Sequence, residues 1–281
     1  MILKAALFIG AAFFLLVLLI WGSRSEYVRI ADIYIEGNKI TSEKKIREVI
    51  QMNMAGTYAW FFPHDNIFLY PKRRIKRDVL NTFSRIYDAK VRFVDLTSIV
   101  VAVKERKIYA LWCDDVLPKR ERNLSVPCYF VDDSGFVFAE APRFSMNVYF
   151  EFYGRLNAPF VNEAPAGAER GDLIGTSFLT PYEFGRVLMF KNLLESIDLE
   201  TYKFFVREDG EYEIFLKGKS AMETAGGKIV FSPKQELEKI LYDLKLAIDT
   251  KFPEGGSQDI TQGLEYIDLR FSNKVLFKFT P

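Results

Sequence analysis

The stretch that comes closest to a catalytic motif is Asp133-Ser134-Gly135, preceded by Phe130-Val131-Asp132. An apolar run into Asp-Ser-Gly is how an aspartic protease presents one of two carboxylates that share a proton. A second such loop is absent from the sequence, so that chemistry would need a homodimer. The same residues also make an ordinary turn between two short strands, which is the reading adopted. The single histidine, His64, sits in Trp60-Phe61-Phe62-Pro63-His64-Asp65 and reads as a surface or packing residue. Two cysteines and one histidine are too few for a structural zinc site. Cys113 and Cys128 either close a disulfide loop, worth about 3 kcal/mol in an oxidising compartment, or stay as two thiols. No Gly-x-Ser-x-Gly elbow occurs, and Gly218-Lys219-Ser220 lacks the upstream glycine of a phosphate-binding loop. The expectation is a protein with no catalytic residue, no cofactor and no metal.

Charge offers one local feature. Lys and Arg number 38 against 37 Asp and Glu, a formal charge of +1, so no global field recruits nucleic acid. Lys72, Arg73, Arg74, Lys76 and Arg77, however, cluster where a helix should begin. Positive charge there opposes the helix dipole and does not serve helix stability. The run is either a solvated face or a patch attracted to anionic lipid or a neighbouring protein.

The elements that would position these residues follow an apolar beginning. From Ala5 to Trp21 the chain is uninterruptedly apolar, roughly 25 Å as a helix, with Trp21 placed as an interfacial aromatic. A retained transmembrane helix over 5–22, a cleaved signal peptide and a buried core helix all share this pattern. The length of the run and the poor cleavage site in Trp21-Gly22-Ser23-Arg24-Ser25 favour the retained anchor, behind a tip of residues 1–4. Lys4 on one side and Arg24 and Arg29 on the other leave orientation ambiguous by charge.

Beyond the anchor the pattern is mixed α+β. Alternation predicts a strand over 27–35, ending at the Gly37-Asn38 turn. A helix capped by Thr41 or Ser42 follows, with Ile46, Val49 and Ile50 on one face. After an aromatic and proline-rich loop, 58–71, a second helix starts at Pro71 or Lys72 with the stripe Ile75, Val79, Leu80, Phe83 and Ile86. Strands follow over 90–94, 97–103, 109–113, 129–131 and 136–138, and 154–178 reads as a loop. Thr180-Pro181-Tyr182-Glu183 is a capping box opening a helix with Phe184, Val187, Leu188 and Leu194 inward. Strands over 202–207 and 212–217 flank Asp209-Gly210, a hairpin signal, and another runs over 228–231. Ser232-Pro233-Lys234-Gln235 is a second capping box, before a helix with Leu237, Ile240, Leu241, Leu244 and Ile248. The last residues make a hairpin turning near Ser272-Asn273-Lys274. Ile267, Leu269, Phe271, Val275, Phe277 and Phe279 lie on one face; Asp268, Arg270 and Lys278 lie on the other. A strand at a sheet edge presents unpaired N–H and C=O groups, and Lys274, Lys278 and Pro281 would discourage random pairing there.

Four stretches, in this order, carry a family resemblance. Ile33-Tyr34-Ile35-Glu36-Gly37-Asn38-Lys39-Ile40-Thr41 resembles the opening of a POTRA domain. Val101-Ala102-Val103-Lys104-Glu105-Arg106-Lys107-Ile108-Tyr109-Ala110-Leu111-Trp112 resembles a strand ending in Val-x-Glu-Arg-x-Pro-x-Ala-x-Trp. Tyr129-Phe130-Val131-Asp132-Asp133-Ser134-Gly135-Phe136-Val137-Phe138 resembles the next hairpin of that family, and Tyr266-Ile267-Asp268-Leu269-Arg270-Phe271 its closing Asp-Leu-Arg strand. Behind a single anchor, the whole chain is similar to the FtsQ/DivIB cell-division proteins. Departures are Ile108 in place of proline, Val94-Asp95 in place of Phe-Pro, and a long segment over 140–178.

The resemblance implies a single-pass protein of the inner (plasma) membrane, enriched at the division septum. Its N-terminus would be cytoplasmic and its bulk extracytoplasmic. It further implies a small POTRA domain over 27–105, two helices on a three-stranded sheet, then a larger mixed or antiparallel β domain with two helices over 106–281. Such proteins are not enzymes. They bind coiled-coil division proteins of the FtsB/DivIC and FtsL types and help control septal peptidoglycan synthesis. The partner adds a strand to the C-terminal edge, which maps here to Phe271, Lys274, Val275, Leu276, Phe277, Lys278 and Phe279. The alternative is a POTRA-bearing membrane anchor for secretion or envelope assembly.

Overall fold

A computed structural model describes residues 2–118, 127–144, 148–156, 173–218, 226–253, 260–271 and 274–280. Much of the expected loop over 154–178, the turn residues Ser272 and Asn273, Lys219 and Ser220, and Pro281 lie outside these residues. The chain is α+β and divides into two compact units, Met1–Arg106 and Lys107–Pro281.

The first unit opens with helix α1 (Ile2–Ser23), 22 residues long, about 33 Å at the α-helical rise. An 18-residue stretch within Leu3–Ser23 has a mean hydropathy of 2.6, and none of that stretch is buried against the rest of the protein. Length and composition fit a single-pass membrane span or a signal sequence. The strand expected over 27–35 begins later. Glu26–Val28 forms a 3-10 turn, and strand β1 is Asp32–Glu36. The intervening residues pair elsewhere: Ile30 N–H donates to Asp65 O (2.8 Å) and Ile67 N–H to Val28 O (2.9 Å). Helix α2 (Glu43–Met54), the two-residue strands β2 (Thr57–Tyr58) and β3 (Phe62–Pro63), helix α3 (Lys72–Thr82) and strands β4 (Ile86–Asp95) and β5 (Ser98–Glu105) complete the unit.

The sheet order is β1-β5-β4, with β1 parallel and β4 antiparallel to β5. Both helices contribute to its core: Ile46 and Ile50 of α2 and Ile75 and Val79 of α3 are fully buried with Ile99 and Val101 of β5. Ile86 does not extend the α3 stripe as expected. Helix α3 ends at Thr82, and Ile86 is the first residue of β4, buried from the sheet side.

The start of α2 is also built differently from the expectation. Ser42 occupies the cap position without a side-chain hydrogen bond. A carboxylate from the far end of the unit orders the turn just ahead of the cap: Glu105, at the end of β5, accepts from the backbone N–H groups of Ile40 (3.0 Å) and Thr41 (2.8 Å), which precede the helix. Burial penalises the charged form, but the donors at Thr41, Ile40 and Lys39 outweigh it and hold the Glu105 pKa below the usual carboxylate range. The next residue, Arg106, donates from Nε to Ser84 O (3.1 Å). The Glu-Arg pair therefore staples two loops of this unit. A depressed folded pKa means that the stabilisation is present above the unfolded pKa and disappears as pH falls through the folded one. Glu105→Gln is expected to cost about 1–2 kcal/mol at neutral pH, shrinking towards zero in acid; urea melts at pH 7 and pH 3 check it.

Among the described residues, the strands of the second unit form one nine-stranded mixed sheet. Its strands are β6 (Ala110–Asp114), β7 (Tyr129–Val131), β8 (Val137–Glu140), β9 (Glu151–Tyr153), β10 (Thr201–Val206), β11 (Tyr212–Leu216), β12 (Lys228–Phe231), β13 (Leu264–Asp268) and β14 (Leu276–Phe279). Their order is β14-β13-β12-β11-β10-β9-β6-β7-β8. Helices α4 (Pro181–Glu195) and α5 (Leu237–Lys251) pack on one face, burying Phe184, Val187 and Leu194 and Leu237, Leu244 and Ile248 against it. The Thr180 capping box forms in full: Glu183 N–H donates to Thr180 Oγ1 and Thr180 N–H to Glu183 Oε2. The box at Ser232 does not start α5. Gln235 Oε1 accepts from Ser232 N–H, but its Nε2 donates across to Leu269 O, and the helix begins later, at Leu237. The amide is spent on joining the start of α5 to the end of β13.

Strand β9 has no counterpart in the sequence reading. It pairs parallel to both β6 and β10 and carries the fully buried Phe152. Three residues are too few for a period to register. The opposite face holds a smaller cluster of Leu111, Cys113, Cys128, Phe130, Phe138 and Tyr153. There Cys113 and Cys128 are joined in a disulfide linking β6 to the residue before β7.

Candidate functional site

The last described strand, β14, stands at one end of the nine-strand order, paired only with β13 among the described residues. Ile267 faces Phe277 and Asp268 faces Leu276 across this antiparallel pair. The ladder continues to Thr280, whose N–H donates to Gly263 O at 2.8 Å. Backbone groups alternate sides along such a ladder, so Phe277 and Phe279 direct their N–H and C=O groups away from β13, to the open edge.

The side chains of β14 split between two faces. Val275, Phe277 and Phe279 pack against the helix-side core, and Lys251 of α5 reaches over the rings of Phe277 (4.8 Å) and Phe279 (5.1 Å). On the other face Lys278 pairs with Glu265 (2.9 Å), and this bond and charge raise the lysine pKa. Between α5 and β14 runs a groove of about 680 Å³. Leu246, Ala247 and Thr250 line it from the helix and Val275, Leu276 and Phe277 from the strand, with Lys239, Lys251, Lys274 and a single carboxylate, Asp243, among its walls.

The Asp-Leu-Arg stretch fixes the end of β13. Asp268, expected on the face opposite Ile267 and Leu269, is only 5% exposed. Burial would raise its pKa, but hydrogen bonds from the Arg270 side chain and backbone prevail and lower it, while the same pairing raises the arginine's. This two-residue clasp ends the strand and turns the chain. Phe271 consequently does not face inward with Ile267 and Leu269; it is 44% exposed, with Lys274 Nζ 4.9 Å from its ring. Two further buried carboxylates are partnered: Glu151 accepts from Tyr153 Oη (2.9 Å), and Glu213 from Lys228 (2.8 Å) and Arg207 (3.4 Å).

The structure thus gathers Lys274, Val275, Leu276 and Phe277 into one groove, with Phe271 and Phe279 beside it. The helix wall of that groove was not read from the sequence. Leu246 was its available signal, an apolar residue out of step with the buried stripe of α5 and 55% exposed. The basic run lies elsewhere, on α3. Arg74 and Arg77 pair with Asp78 and Lys76 with Asp88, whereas Lys72 and Arg73 make no ion pair among the described residues. Asp133 is exposed in a turn organised by its neighbour: Asp132 Oδ1 accepts from Ser134 N–H, Ser134 Oγ and Phe136 N–H. His64 lies with its ring centroid 4.1 Å from that of Tyr58, the planes tilted by 59°, and with Nδ1 3.0 Å from Ala55 O. Among the described residues no three His, Cys, Asp or Glu side chains gather as metal ligands. Compared with known proteins, the chain matches no family model and no curated sequence.

Proposed function

We propose that this protein is a non-enzymatic, single-pass membrane scaffold of the FtsQ/DivIB kind. In this reading it takes up partners of the FtsB/DivIC and FtsL types at the β14 edge and so helps control septal wall synthesis. The observation that carries the reading is the open backbone of β14 beside a groove of mixed apolar and lysine-rich lining, the geometry that an added strand requires. The order β1-β5-β4 under two helices supports a POTRA domain after the anchor. The Cys113–Cys128 disulfide supports an extracytoplasmic location for the bulk of the chain.

The test is co-purification of the membrane-embedded full chain with its division partners from cells. Leu276 is an exposed apolar side chain on the edge strand, so Leu276→Asp is expected to weaken capture by about 2 kcal/mol, roughly 30-fold, with the melting temperature little changed. Truncation at Asn273 should abolish it. Undiminished capture of both partners by the truncated protein would remove strand addition from consideration.

A further inference from the structure

The β2–β3 hairpin of the first unit has a sequence that its backbone does not favour. Phe61 N–H donates to Tyr58 O at 3.1 Å, and the two residues between have positive φ, 46° at Ala59 and 73° at Trp60. Both central residues of this tight hairpin are left-handed, a conformation for which Asn-Gly is the favoured pair. Here an alanine and a tryptophan accept it, and the Trp60 side chain is 87% exposed. A strained turn that holds a large aromatic in the open is a local conflict, of the sort that sequences retain where something outside the fold compensates.

The position of the tip indicates what compensates. Arg24, directly after α1, donates to Trp60 O and Phe61 O, both at 3.2 Å. The buried Asn66 side chain donates to Ser23 O (2.9 Å), the last residue of α1, and accepts from Phe68 N–H (2.9 Å). Arg29 pairs with Asp65, and the 28–30 and 65–67 segments exchange backbone bonds. The hairpin is therefore stitched to the end of the apolar helix at several points. Around this junction Trp21, Tyr27, Phe61 and Phe68 are exposed as well. Exposed tryptophan and tyrosine at the end of an apolar helix are what a bilayer interface accommodates, an apolar body with a polar tip.

We infer that the Trp60-Phe61 tip, with Tyr27 and Phe68, seats in the headgroup region of the bilayer that α1 crosses and holds the first unit against the membrane face. This rests on α1 being a retained span. It is independent of the β14 edge and of the basic run, since the partner is the neutral lipid interface.

The chain has three tryptophans, Trp21, Trp60 and Trp112, and Trp112 is buried in the second unit with its indole N–H on Gly154 O. Full-length protein is reconstituted in phosphatidylcholine liposomes whose acyl chains are unlabelled, brominated near the headgroup, or brominated deep. Trp21→Phe leaves Trp60 over the Trp112 background, Trp60→Gly leaves Trp21, and the double variant leaves Trp112 alone. The Trp21→Phe protein should lose clearly more emission to shallow bromine than the double variant, and less to deep bromine. Trp60→Gly should melt no lower than wild type, because glycine accepts the left-handed turn. If Trp60→Gly is quenched while Trp21→Phe matches the double variant, α1 spans the bilayer but the tip meets water or a protein, and the inference falls alone. If neither single variant is quenched, the anchor reading falls with it.

Discussion

Phe152→Ala is expected to destabilise the second unit by about 3–5 kcal/mol, the range for removing a fully buried phenylalanine. Phe152 lies on β9 in the interior of the sheet, and no part of it reaches solvent. Its ring meets those of Phe150 (5.0 Å), Phe178 (5.2 Å), Phe184 (4.9 Å) and Phe204 (5.6 Å). Those rings come from β10, α4 and the segment before α4 as well as from beside β9, so truncation leaves a cavity that several elements would have to close together. Interiors this dense relax only in part. At about 2–4 °C per kcal/mol for a unit of this size, the melting temperature should fall by roughly 10 °C, read by calorimetry. A shift of one or two degrees would mean that the aromatic cluster is not the mechanical centre of the sheet.

Opening the Cys113–Cys128 disulfide should be the other large effect. The bond closes a sequence separation of 15 residues, for which the loop-entropy model gives about 3 kcal/mol. Both cysteines are buried among Leu111, Phe130 and Tyr153, so paired replacement by alanine keeps the site apolar and isolates the cross-link. The double alanine variant and the reduced wild type should have the same lowered urea midpoint, and adding reductant to the variant should change nothing. The β8 end of the sheet should suffer most, because β7 and β8 reach the rest of it through β6. Hydrogen exchange should show protection lost there before it is lost at β12 and β13.

The difference between what could be read and what could not follows the range of the interactions. Thr180 and Glu183 cap their helix within four residues of chain, and the box was legible for that reason. The stripe of Ile75 and Val79 was legible too, because a 3.6-residue period is a local property. Ser42 and Ser232 offered signals of the same kind, and the long-range partners lie elsewhere: Ser42 sits at the cap without a side-chain bond while Glu105 ties the turn before it to β5, and Gln235 accepts from Ser232 N–H but also donates to Leu269 O, with α5 starting only at Leu237. A cap signal states which groups need partners, and competition in three dimensions decides which partner is closest. The 3-10 turn at Glu26–Val28 was lost to the same cause, because the flanking residues bond to 65–67 rather than to a neighbouring strand.

Local residue pattern suffices for the apolar N-terminal helix, most of the helices and strands, and the alternation that sends Val275, Phe277 and Phe279 to one face of the last described strand. Each of these follows from composition or period within a few residues. Tertiary structure alone decided that this strand stands at the end of the sheet, that α5 lies beside it to form a groove, and that Trp60 is held at the end of α1. The order of strands and the company of helices depend on contacts between residues tens of positions apart, and no local period encodes them.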